Sequence, residues 1–179
     1  MNFDFKEILS VSLILFSIID ILGSIPIILN LRKKLGHIHA ERITLISGSL
    51  MFGYLFLGTK ILQLFGVDVK SFAMAGALIL LIIGFEMILQ GKGSSIVPLA
   101  FPIIAGAGTM TSLISLKAAY QDVNIVVGIL INLILIFIVL KSSAWLEKKM
   151  EPGTVEVLQK VFGLILLAIA IKLIKANIV

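Results

Sequence analysis

Asp20, Gly23, Ser24 and Pro26 fall close together inside one apolar run, FSIIDILGSIPIIL (16–29). A charge at the centre of a bilayer costs at least about 2.5 to 3.5 kcal/mol, and such residues usually face a bundle interior or a water-filled cavity. Two chemistries suit Asp20. It can hold a proton, a cation or an ammonium group. It can also cap a broken helix by accepting from the N–H groups freed beyond the break, with Pro26 at the first helical position. The two roles are compatible. Pro26 removes one helix hydrogen bond and clashes with the carbonyl of Leu22, so an interruption is expected near Gly23.

A second stretch repeats these features. PLAFPIIAGAGTMTS (98–112) carries Pro98, Pro102, Gly106 and Gly108, then Thr109, Thr111 and Ser112. A half-helix starting after Gly108 would aim free N–H groups and its positive dipole end at an anion. Together the two stretches suit a zwitterion. Asp20 would take the ammonium group or a coupling cation, and the amides around Gly106, Gly108 and Thr109 would take the carboxylate. Ser24 and Thr111 would add hydroxyl contacts, and Gly23 would let the backbone approach. Pro26, Glu86 and Ser112 are secondary candidates. The competing reading is close helix packing by small residues. Glu86, one turn from the end of its span, and Lys172 both suit snorkelling to the interface. Lys60 is interfacial if its helix stops near Gly58. Asn124 and Asn132 suit hydrogen bonds between helices.

Other chemistries lack their residues. No cysteine is present, so thiol and disulfide chemistry is excluded. His37 and His39 share one polar loop and read as solvated residues, because metal sites usually need more ligands. No phosphate loop, metal-ligand spacing or nucleophile–base pair occurs. Neither an enzyme nor a cofactor is expected. A non-transporting membrane scaffold is the alternative to a transporter.

The elements that must position these residues are membrane helices. Only 14% of the 179 residues are charged and the mean hydropathy is +1.16, against about 25% charged in soluble domains. Apolar runs long enough to cross a bilayer recur. In lipid the backbone satisfies its own hydrogen bonds, so the runs are helices. The expected fold is an all-α polytopic bundle of six spans: about 8–31, 43–65, 72–89, 96–116, 123–140 and 157–174. The net charge of +5 sits mainly in loops, where it suits orientation and anionic lipid rather than nucleic acid.

IDILGSI (19–25) superposes on IAGAGTM (104–110) at an offset of 85 residues, and GALILLIIGFEMI falls near GLILLAIAIKLI. One membrane domain, 1–179, then divides into repeats of about 1–91 and 92–179. Three helices in each force the second to enter from the opposite side, giving an inverted repeat with a broken first helix in each half. Nine Lys and Arg residues lie at one set of span ends and six at the other. The richer set marks the cytoplasm and places both termini outside it.

These motifs resemble a family. DILGSIPIIL is similar to the first motif of the MarC family of bacterial integral membrane proteins, D-P-x-G-N-x-P, and PLAFPIIAGAGTMTS to its second, P-L-A-x-P-x-x-A-G-P-G. FGVDVKSFAMAGALILLI resembles the family's link between spans two and three. Ile21 and Ala107 stand where the family usually has proline and Ser24 where it has asparagine, which implies softer breaks. The resemblance covers essentially the whole chain. It implies six spans in a bacterial cytoplasmic membrane and kinship with LysE-type exporters, some relatives being described as neutral amino acid transporters. The expected partners are a small-molecule substrate, the lipid bilayer and a coupling proton or sodium ion, with further copies of the chain an open option.

Overall fold

The computed structural model describes residues 3–21, 24–89, 104–149 and 152–178. Their regular structure is entirely helical, in seven helices. Helix α1 (Phe5–Ile19) starts at Asp4, whose carboxylate accepts from the amides of Lys6 and Glu7 at 2.8 and 3.3 Å. Helix α2 (Ile25–Leu35) ends at Gly36, which takes φ 78°, a left-handed conformation open to glycine. Helix α3 spans Ala40–Leu64 and α4 spans Val69–Leu89. Between them Asp68 accepts from the Ser71 hydroxyl at 2.6 Å and the Ser71 amide at 2.8 Å. Those bonds, the hydroxyl first, hold its carboxyl below the usual range. Helices α5 (Ala107–Ala119), α6 (Asp122–Lys149) and α7 (Pro152–Ile178) complete the chain.

Among the described residues, four helices are long and apolar enough to cross a membrane: α3, α4, most of α6 and most of α7. Helices α1, α2 and α5, at 15, 11 and 13 residues, fall short of the roughly 20 a span needs. The first expected span is therefore two helices, α1 ending at Ile19 and α2 starting at Ile25. The fourth is described only from Ile104, and Pro98 and Pro102 lie outside the described residues.

Several boundaries differ from expectation. The expected loop over 141–156 is largely helix, because α6 runs on to Lys149 and α7 starts at Pro152. Lysine, alanine and glutamate end the apolar run, but they are good helix formers. Similarly, α2 continues through Arg32 to Leu35. Helix α3 passes Gly58 and ends at Leu64, so Lys60 lies on the helix rather than beyond it.

The principal contacts link helices before residue 90 to helices after residue 103. Helix α4 packs most extensively on α7, α1 on α6, and α3 on both α5 and α6; α2 touches α6 and α7, and α4 and α1 touch α5. At the α4–α7 crossing a Cβ on Gly84 would lie 2.9 Å from the Gly163 carbonyl oxygen, and one on Gly163 would lie 3.0 Å from that of Gly84. The backbones touch there with no side chain between them, as small residues allow in membranes. One core runs through α1, α2, α3, α5 and α6, and a smaller one joins α4 to α7 through Ile83, Met87 and Leu166. Ile27 packs on both. Leu45, Leu78, Ile82, Ile134 and Leu164 are exposed and form an outer apolar surface suited to lipid.

Both expected asparagine contacts are present. Asn132 donates from α6 to the Ser12 carbonyl of α1 at 3.1 Å, and Asn124 donates to the Glu7 carboxylate at 2.6 Å. Both asparagines are buried, and their bonds tie α1 to α6.

Candidate functional site

The first break is built from Asp20 and Ser24. The Asp20 amide donates to the Phe16 carbonyl at 3.2 Å, closing α1. Asp20 then takes φ 46°, ψ 47°, and among the described residues it alone of the non-glycines has positive φ. A left-handed L-residue costs roughly 1 to 2 kcal/mol, with Asp among the more tolerant types. The Asp20 carbonyl receives two donors from Ser24: the amide at 3.1 Å and the hydroxyl at 3.0 Å. Asp20 thus stands at the C-cap of α1 and Ser24 at the N-cap of α2. Ile25 opens α2, which puts Pro26 second in the helix rather than first. Asp20 is half-buried and its Oδ2 is shielded from solvent. Gly23 lies outside the described residues.

The second break has the same fastening. Ile104, Ala105 and Gly106 are buried, and α5 begins at Ala107 with Gly106 as N-cap. The expected start after Gly108 is corrected by two residues, because the extended Gly106 already lets its carbonyl accept from the Met110 amide at 3.0 Å. The Thr109 hydroxyl donates back to the Ile104 carbonyl at 2.8 Å. Ser24 and Thr109 are 85 residues apart, the offset at which the two segments align. Each ties the helix after a break to the last carbonyls before it.

The two breaks adjoin. A Cβ on Gly108 would lie 3.6 Å from Cγ2 of Ile18, in the last turn of α1. On the other side α4 presses Gly76 against Ala107, where a Cβ on Gly76 would overlap that of Ala107. A cavity of about 30 Å³ is enclosed by Ile18, Gly76, Leu80 and the turn Gly106–Thr109. That is room for a water or two. The first amides of α5 have no intrahelical acceptor by position, so this turn presents donors suited to an anion. Ser24 and Thr109 already donate their protons to carbonyls and offer a ligand only lone pairs. Thr111 bonds the Gly108 carbonyl at 3.0 Å, and Ser112, beside it, is half-buried. Asp20 does not line this cavity. Glu86 lies six residues past Leu80 on α4, about 9 Å along the axis, and does not line it either.

Tyr54 was not singled out from sequence. From α3 its hydroxyl donates to the Ala105 carbonyl at 2.9 Å, so the second break is held by a neighbouring helix as well as by Thr109. Its signal was a polar aromatic deep in an apolar span, where an O–H needs a partner.

A model of the MarC family, described as integral membrane proteins, matches residues 5–179. The UPF0056 membrane protein YvbG of Bacillus subtilis is 27% identical, over 97% of this chain and 95% of its own length. YhcE of Escherichia coli, also a UPF0056 membrane protein, is 25% identical over 98% and 94%. A UPF0056 membrane protein of Pyrococcus abyssi is 30% identical over 89% and 88%. No solved structure matches the chain. With its apolar spanning helices and its match over nearly the whole length, the chain is a multi-pass membrane protein that belongs to the MarC family.

Proposed function

We propose that the protein is a secondary transporter of a small polar solute, most suitably a neutral amino acid, coupled to a proton or sodium ion and working in the cytoplasmic membrane. The observation that carries this reading is the meeting of the two breaks, which sets the free amides at the start of α5 beside the end of α1. Irregular backbone within a membrane is tolerated where protein or a water-filled cavity surrounds it, and paired helix interruptions mark binding sites in transporters. The Gly106–Thr109 turn supplies donors, and Asp20, which caps α1 outside the cavity wall, supplies the negative group once the halves part.

The packing supports a two-fold repeat, and three helices in each half would make it inverted. Exchanging α2 with α5, α3 with α6 and α4 with α7 turns the α4–α5 contact into α7–α2 and the α3–α5 contact into α6–α2, and all four occur. The α3–α6 and α4–α7 contacts map onto themselves. The small cavity favours a second reading, a scaffold whose breaks serve packing. Under the transport reading the halves must part to admit a solute.

The test is flux of amino acids into liposomes holding the purified protein, with and without an imposed proton or sodium gradient. Saturable uptake that a gradient increases, and that Asp20→Asn abolishes, is the expected result. Correctly inserted protein that moves none of the amino acids under any gradient would overturn transport and leave the scaffold.

A further inference from the structure

The half-open cavity between α3 and α5, with a wall of mixed polar and apolar residues, shares no lining residue with the cavity at the breaks. Its volume is about 430 Å³ and its wall includes Tyr54, Phe56, Thr59, Lys60 and Lys117, a size within the ordinary range for small-ligand sites, about 300 to 1,000 Å³. Lys117 is held in place. Its Nζ donates to the Leu55 carbonyl at 3.1 Å, lies 5.4 Å from the centre of the Phe56 ring and stands 3.8 Å from an Asp122 carboxylate oxygen. An ammonium has three donors. One is committed to Leu55, and the Asp122 distance is too long for a good hydrogen bond. Lys60, one turn beyond Phe56 on α3, shares the same wall and makes no ion pair among the described residues. Tyr54 contributes no free donor, because its proton is on Ala105. Two ammonium groups sharing one cavity repel unless an anion lies between them. The carboxylate of Asp122 is not part of the wall.

We propose that this cavity binds an anionic oxygen group, carboxylate or phosphate, between Lys60 and Lys117, with the Thr59 hydroxyl as a third donor. Charge-assisted hydrogen bonds to two ammonium groups supply the affinity. Lys117, already fixed by Leu55 and Phe56, has little freedom left to lose, which favours binding. The same chemistry is offered by a soluble anion and by the headgroup of an acidic lipid. The inference does not depend on transport, because occupancy is read at equilibrium.

The test is the labelling rate of individual lysines by an amine-reactive reagent, followed by peptide mass spectrometry on protein in phosphatidylcholine nanodiscs. The probes are acetate, inorganic phosphate and, in separate discs, admixed phosphatidylglycerol. Lys60 and Lys117 are expected to be protected together, while exposed Lys6 and Lys175 label at unchanged rates. Protection by acetate or phosphate identifies a soluble-anion site, and protection by phosphatidylglycerol alone identifies a lipid site. Lys60→Gln removes one of the two ammonium groups and leaves the Lys117 contacts intact. It should raise the anion concentration needed to protect Lys117 about tenfold, the weight of one charge-assisted hydrogen bond. Equal labelling with and without all three probes would overturn the proposal, as would Lys117 protection indifferent to Lys60→Gln.

Discussion

Asp20 combines two properties that substitution can separate. Its backbone occupies a left-handed turn that glycine enters freely, and its side chain brings a carboxylate into an apolar setting. Relative to Asp20→Ala, which also loses the carboxylate but keeps the strained turn, Asp20→Gly should therefore unfold at a higher temperature, by relieving roughly 1 to 2 kcal/mol of backbone strain. The same variant should lose gradient-coupled flux as completely as Asp20→Asn. A glycine variant that transports normally would assign Asp20 to the turn alone. Ser24 and Thr109 carry a different lesson. Both were expected to lie near a ligand, and Thr109 does line the small cavity, but each hydroxyl proton is spent on a backbone carbonyl. Residue type indicated a hydroxyl at each break. The direction of its proton depends on which carbonyls the break leaves open, and that is a property of the folded backbone.

At the level of helices, the tightest point is Gly76 of α4 against Ala107 at the start of α5. Gly76→Ala should destabilise the protein by about 1 to 3 kcal/mol, the usual range for overpacking. Ala107→Gly should restore much of that loss in the double variant, since residues in contact couple. Thermal unfolding in one detergent for the four proteins gives the coupling, and additive losses would show that the two sites do not press on one another. The break at 20–24 was legible because a proline, a glycine and an aspartate are costly in an unbroken apolar helix. Sequence also located the end of α3 and the start of α4 to within about three residues, since the turn at Phe65–Gly66 and the Asp68 cap lie between them. It misplaced the ends of α2 and α6. There the change from apolar to basic residues marks where lipid stops, whereas a helix stops only where its hydrogen bonds do. The link from α3 to the second break through Tyr54 was out of reach, because nothing in local sequence says that a tyrosine on one helix meets a carbonyl just before another, 51 residues away.

For the whole molecule, the principal contacts interleave helices before residue 90 with helices after residue 103 and leave orientation to charge. Arg32 and Lys33 at the end of α2 and Arg42 in the first turn of α3 flank one connection, which the positive-inside rule assigns to the cytoplasmic side. A reporter fused after Val179 should therefore read as extracytoplasmic, and one inserted at Gly36 as cytoplasmic. A cytoplasmic reading at Val179 would reverse the orientation or change the number of spans.

Interleaving also orders events in time. The principal partners of α1 through α4 all lie after residue 103, so more than half of the chain leaves the ribosome before any of those partners exists. Gly84 of α4 in particular must wait in lipid, uncovered, until Gly163 emerges. Assembly is thus a late event, and a chain that stops short of α7 leaves the largest interface unmade.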